Sequence, residues 1–192
     1  MQGRVAGAVL LTDEQWERAA RVQGWYDRDE AELLYRLTVG PWCEVGCWKG
    51  LSTAVLAQTG HPGWAVDWFK GSSEHGKVDT FHDFTAHMLG FDNVNVLRMA
   101  GEDADRFVPA GLNMLHLDAE HTYQATSTMF HLYAPKVEKG GHLILHDAFT
   151  PTGRKIAESP WPGVTRFALQ IEQHPDWHLA EHVNRSAAFR RI

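Results

Sequence analysis

The chain has 192 residues, 44% of them hydrophobic, with 18 Lys plus Arg against 24 Asp plus Glu for a formal net charge of −6. That length buries a sizeable core without disulfide or metal staples. The acidic balance, with no basic run, argues against a protein that grips nucleic-acid phosphates. Cys43 and Cys47 form a lone C-x3-C pair, neither a disulfide framework nor a zinc site, so two reduced thiols in a cytoplasmic protein are expected. The opening MQGRVAGAVLLTDEQ holds too short an apolar stretch for a membrane span and no signal-peptide pattern. No membrane partner is expected.

Helices lead the chain. Thr12 with Gln15, and Asp27 with Glu30, have the spacing of a capping residue and its reciprocal partner. The second helix carries Leu33, Leu34 and Leu37 and stops at Gly40-Pro41. Short apolar runs then alternate with helical stretches. Strands are predicted at 42–45, 64–66, 94–99, 112–117 and 142–146, and helices at 51–58, 80–89, 104–107 and 122–137, the last ended by Gly140-Gly141. A helix at 164–173 precedes two strands, 177–183 and 187–190, whose short Asn184-Arg185 link makes them antiparallel. No repeat or linker interrupts the chain, so one domain is expected over 1–192, a helical lead over 1–40 and a core over 41–192. The fold class is α/β: a Rossmann-like, doubly wound, seven-stranded sheet, mostly parallel with an antiparallel C-terminal hairpin.

In an open parallel sheet, ligands bind beyond the carboxyl ends of the strands. Acids collect there: Glu44, Asp67, Glu102, Asp118 and Asp147 follow strands one to five. Solvation accounts for one or two acids at strand ends, not for one at each of five. The first crossover reads Glu44-x-Gly46-x-x-x-Gly50, and its glycines let the backbone turn tightly and approach a ligand. Asp67 stands where the acid that takes a ribose diol is expected. The third glycine of the dinucleotide fingerprint is missing, and Glu44 would repel a pyrophosphate. An acid there suits a ligand carrying an ammonium group, which points to S-adenosylmethionine rather than NAD.

At these residues the chain resembles the class I S-adenosylmethionine-dependent methyltransferases, and within them the group containing macrocin O-methyltransferase and the so-called cephalosporin hydroxylases. The matching blocks are EVGCWKGLST (44–53), AVDWF (65–69), AGEDADRF (100–107), LHLDAEHTYQATSTMF (115–130) and KGGHLILHDAF (139–149), with GVTRF (163–167) before the terminal hairpin. The resemblance covers the chain from about residue 40 onward, and it implies the roles that follow. Glu44 and Gly46 would hold the amino-acid end of the cofactor, Asp67 its ribose hydroxyls, Trp68 and Glu102 its adenine, and Gly50 and Asp118 would also belong to the cofactor site. A divalent cation (magnesium, manganese or another transition metal) would lie between Asp118, His146 and Asp147. His146 stands where an acid is more usual and tilts the site away from magnesium; the alternative is no metal, with His146-Asp147 orienting the acceptor.

His121, three residues after Asp118, is at the offset of a general base in sugar-modifying relatives, and an ordinary imidazole accepts a proton at cellular pH. Catalysis would rest on His121 and Asp118: O-methylation of a small hydroxylated acceptor, a sugar, phenol or natural product. The alternatives are a non-catalytic S-adenosylmethionine-binding module acting through a partner, and an NAD-dependent enzyme on the same fold. The segments 68–79 and 150–163, the second holding Trp161, are candidate closing loops, and self-association through the N-terminal helices is a further expectation.

Overall fold

A computed structural model describes residues 10–192; the reading of the first nine residues lies outside the described residues. Among the described residues there are seven helices: α1 (Asp13–Ala19), α2 (Arg28–Leu37), α3 (Leu51–Ala57), α4 (Phe81–His87), α5 (Gly101–Ala104), α6 (Tyr123–Tyr133) and α7 (Pro162–Ile171). The strands are β1 (Trp42–Val45), β2 (Gly63–Asp67), β3 (Gly71–Ser72), β4 (Gly76–Lys77), β5 (Val94–Arg98), β6 (Leu112–Leu117), β7 (Val137–Leu145), β8 (Trp177–Val183) and β9 (Ser186–Arg191). Both expected capping boxes form. Thr12 and Asp27 accept from the N–H groups of Gln15 and Glu30, whose side chains reach back to the cap backbone.

The main sheet has the order β5-β2-β1-β6-β7-β9-β8. β5 to β7 run parallel, and β9 lies antiparallel to both its neighbours. The expected seven-stranded sheet is therefore present. From β1 the chain builds outward through β2 to β5, then returns to lay β6 on the other side of β1. The crevice above that reversal is where such sheets take ligands.

Strand alternation divides the side chains into two layers. Cys43, Val45, Leu115, Leu117, Leu143 and Leu145 join α6 and α7 in one apolar cluster. Trp42, Met114 and Ile144 face the other way and pack with Ala31, Leu33 and Leu34 of α2 and with Val55 and Leu56 of α3. α2 thus spends its apolar face inside the chain.

Three local readings differ. Pro135 sits in a 3-10 turn after α6; without an N–H it cannot continue the ladder, so the helix stops at Tyr133 and β7 starts at Val137, well before Gly140-Gly141. The helix expected at 104–107 is split between α5 and a 3-10 turn over Asp105–Phe107. The segment 68–79 holds a small hairpin, β3 against β4. Among the described residues no helix is long and apolar enough to cross a membrane.

One glycine fixes the approach of two strand ends. Gly46 has a φ of 94°, and a Cβ there would drive into the Asp118 carbonyl. Gly46→Ala combines a left-handed alanine with overpacking and should cost about 2–4 kcal/mol in urea unfolding. A variant as stable as wild type would contradict that packing.

Candidate active site

A cavity of ≈ 590 Å³ opens above the carboxyl ends of β1, β2, β6 and β7. Eight of the ten residues singled out from the sequence line it: Gly46, Asp67, Trp68, Glu102, Asp118, His121, His146 and Asp147. Glu44 and Gly50 do not. Glu44 points into the α2–α3 layer, because it alternates with Cys43 and Val45. There it is fully buried, accepting from Thr53 Oγ1, with Oε1 2.9 Å from His116 Nδ1. It therefore cannot meet a cofactor's ammonium group in this arrangement. Gly50, with φ 93°, is the left-handed residue that starts α3, and its open side faces Phe84 and Met88.

Asp67 ends β2 and organises the neighbouring loop. Its Oδ2 accepts from the backbone N–H of Cys47 (2.8 Å) and Trp48 (2.9 Å), and its Oδ1 from Phe69 (2.6 Å). Burial raises its pKa, against the pull of those three N–H groups. A carboxylate has about four lone-pair sites, so Oδ1 keeps one for a ligand hydroxyl. Trp68 is half exposed, and its indole N–H is taken by the Gly71 carbonyl (2.5 Å), which leaves the ring face on offer.

At the far end of the cavity, two carboxylates and two imidazoles converge. His121 Nε2 lies 3.2 Å from Asp147 Oδ2 and 3.6 Å from Asp118 Oδ1. His146 Nδ1 lies 3.1 Å from Asp118 Oδ1 and 3.3 Å from Asp147 Oδ2. None of these approaches is aligned as a hydrogen bond: His121 Nε2 and both His146 nitrogens are buried without a partner. Single ligand atoms of Asp118, His121 and Asp147 all fall within 4.8 Å of one another. His121 thus joins the two aspartates as a candidate ligand, with His146 beside them. The same alternation that turned Glu44 inward sends the His146 ring under Tyr26, stacked at 4.5 Å and 22°, with Nε2 3.6 Å from Glu30.

The charges are strongly biased. Burial works against protonation of His121, yet Asp118, Asp147 and Glu74 outweigh it and push its pKa up to about 10. His146 is raised well above its ordinary value, Asp118 and Asp147 overcoming its burial. Conversely, despite burial, His146 and His121 hold Asp118 well below the carboxylate range, and His121 and His146 hold Asp147 at about 2. Asp147 reaches into the cluster from a left-handed backbone, φ 52°, a conformation that Asp tolerates better than most residues.

Behind the cluster runs a buried polar seam supplied partly by the N-terminal lead. Tyr26 OH lies 3.0 Å from His116 Nε2, whose other nitrogen faces Glu44. Ser186 Oγ is 3.3 Å from Tyr26 OH and donates to Glu30 Oε1 at 3.0 Å. Glu30, fully buried, also accepts from Arg185 N (3.0 Å) and Arg185 NH2 (3.3 Å), and Arg185 NH1 reaches Asp147 Oδ1 (3.4 Å). Nothing local in the sequence marked Tyr26, Glu30 and Arg185 for this seam; Glu30 reads only as a capping residue and Arg185 as part of a turn. Glu74, on the turn between β3 and β4, also went unseen: its Oε1 accepts from His121 N at 3.0 Å, and its Oε2 is 2.6 Å from His121 Nδ1. Trp161 stacks on the His121 ring at 4.3 Å and 19°.

A family model described as a methyltransferase domain matches residues 43–148, more than half of the chain, and the chain belongs to that family. Solved structures share its fold at low identity. The O-methyltransferase TomG from Streptomyces achromogenes, in complex with SAM, is 14% identical with a TM-score of 0.68, over 96% of this chain and 92% of that one. The O-methyltransferase from Bacillus cereus in complex with SAH is 15% identical with a TM-score of 0.66, over 94% and 91%. An rRNA methylase from Streptococcus thermophilus is 13% identical with a TM-score of 0.60, over 86% and 95%. The architecture is that of a class I methyltransferase, and proteins described as O-methyltransferases and as an rRNA methylase share it, so the acceptor has to be argued from the site.

Two outcomes follow from this geometry. Tyr26→Phe leaves His116 Nε2 buried without its hydroxyl and should cost about 1–3 kcal/mol in urea unfolding; an unchanged midpoint would show that the seam carries no strain of this kind. Both cysteines are free and buried, and burial, reinforced by Glu44, pushes both thiols up. Native protein at pH 8 should therefore give no rapid reaction with a disulfide reagent, and both thiols should react once it is unfolded.

Proposed function

We propose that the chain binds S-adenosylmethionine in the strand-end cavity and transfers its methyl group to a hydroxyl oxygen of a small acceptor, with a divalent cation held by Asp118, His121 and Asp147. The observation that carries this reading is the unpartnered His121 Nε2, facing two carboxylates in the same cavity as Asp67. A cavity of this volume has the size of a small-molecule and cofactor site.

The donor set fits a cation. Glu30, Glu74, Asp118 and Asp147 supply four negative charges around Arg185 and the two histidines. With both histidines neutral the cluster would be left strongly negative, so a cation can replace the protons they otherwise hold. Mixed nitrogen and oxygen donors favour manganese, iron or zinc over magnesium.

When bound, S-adenosylmethionine would supply an electrophilic methyl and leave as S-adenosylhomocysteine, and a cation beside it would stabilise the oxyanion left as the acceptor's hydroxyl proton passes to solvent. The protein's part is placement. Asp67 Oδ1 takes a ribose hydroxyl, Glu102 lies at the adenine end, and the open face of Trp68 covers the base. Asp118 and Asp147 fix the acceptor hydroxyl, and holding the reacting atoms in line supplies much of the rate gain. His121 differs here from its expected duty. Its Nδ1 is engaged by Glu74 and its Nε2 faces two carboxylates, so we assign Nε2, without its proton, to the cation. Selectivity falls to the cavity walls, where Trp25, Trp48 and Trp161 present aromatic surface.

Calorimetry with S-adenosylhomocysteine and with NAD tests the cofactor assignment. S-adenosylhomocysteine should bind and NAD should not. Asp67→Ala should weaken S-adenosylhomocysteine by tenfold or more, as loss of a charge-assisted bond of about 1.5–3 kcal/mol implies. Binding of NAD in its place would overturn the reading.

A further inference from the structure

We propose that Glu74 is a positioning residue: carried by the β3–β4 hairpin, it selects which ring nitrogen of His121 faces Asp118 and Asp147. The inference rests on the cation reading above and goes a step beyond it, to what holds the ligand in place.

The hairpin is only two residues per strand, too small to be stable by itself, and its tip is tied down on both sides of the cavity. Ser73 Oγ donates to Glu120 Oε1 at 2.9 Å. The His75 ring packs against Trp25 at 4.8 Å and Trp48 at 5.1 Å. Between them, both oxygens of Glu74 are engaged by one residue, through the backbone N–H of His121 and its ring Nδ1. The hairpin thus spans from the N-terminal lead to the loop after β6.

The need for such a contact follows from the other neighbour of the ring. Stacking on Trp161 fixes the plane of the imidazole, but a half-turn about its last torsion keeps that plane while exchanging the edge directed at the carboxylates. A carboxylate beside Nδ1 breaks that symmetry. It demands a proton on Nδ1 and thereby leaves Nε2 as the nitrogen with a free lone pair once the ring is neutral. Glu74 is only slightly exposed, so solvent screens this contact little. The pairing joins residues 47 positions apart and makes closure of the hairpin and readiness of the ligand one event.

The competing role is a simple staple for the hairpin, and Ser73 provides the control because it ties the same tip without touching His121. Manganese(II) affinity is measured by calorimetry on the full chain for wild type, Glu74→Ala, Glu74→Gln and Ser73→Ala, with imidazole ¹⁵N NMR on the cation-free proteins. Glu74→Ala should weaken manganese about 10–100-fold, the usual effect of losing a partner behind a ligating histidine. Glu74→Gln, which keeps an acceptor oxygen, should lose less, and Ser73→Ala should stay close to wild type. In the NMR spectra, the His121 Nδ1–H should be protected from solvent exchange in wild type, and that protection should be lost in Glu74→Ala. Unchanged manganese affinity in Glu74→Ala, or an equal loss in Ser73→Ala, overturns the proposal. If wild type binds no manganese, the cation reading fails and the Nδ1–H signal decides the role of Glu74: its persistence in Glu74→Ala refutes it.

Discussion

The arrangement depends on one consequence of strand alternation: Glu44, His116 and His146 all fall on the face of the sheet that α2 covers. The paired register of Glu44 with His116 sets two titratable groups side by side in an apolar layer, where unpartnered polar groups cost several kcal/mol each. The N-terminal lead relieves that cost. Tyr26 closes the His116 ring by hydrogen bonding and covers His146 by stacking, while Glu30 receives Ser186 and Arg185. The lead is therefore part of the machinery that holds Asp147 and His146. Removing one member of a buried charged pair leaves the other stranded, commonly a loss of about 3–5 kcal/mol, so these contacts stand or fall together.

Much of the fold could be read from the chain. Alternating apolar runs and helical stretches mark a parallel sheet, the tight Asn184-Arg185 link forces an antiparallel ending, and the capping boxes locate two helix starts. The acids at strand ends mark the cavity because a parallel sheet opens there. What that rule lacks is the face: Glu44 follows the pattern by position along the chain and departs from it by direction. The same one-residue parity carries the His146 ring under Tyr26. Pro135 illustrates a different lapse, in which a long periodic stretch hides the residue that ends it.

The remaining contacts had no local trace. His116 meets Tyr26 across 90 residues of chain, Glu30 meets Ser186 across 156, and Glu74 meets His121 across 47. Such pairs are set by which loops the sheet brings together, and a capping glutamate such as Glu30 looks fully accounted for by its own helix. The hairpin is too short for any periodicity to register, so the residue that faces His121 sits in what reads as an ordinary polar loop.

These pieces describe one cavity with two poles. Asp67 and the loop it braces suit a ribose and its base; Asp118, His121 and Asp147 suit a cation beside the acceptor oxygen. Diffraction from crystals grown with S-adenosylhomocysteine and manganese(II), with an anomalous difference map at the manganese edge, tests both poles at once. The account expects the ribose on Asp67 and an anomalous peak within ligand distance of Asp118, His121 Nε2 and Asp147. A well-ordered S-adenosylhomocysteine with the peak elsewhere, or with His121 turned away from it, would contradict it.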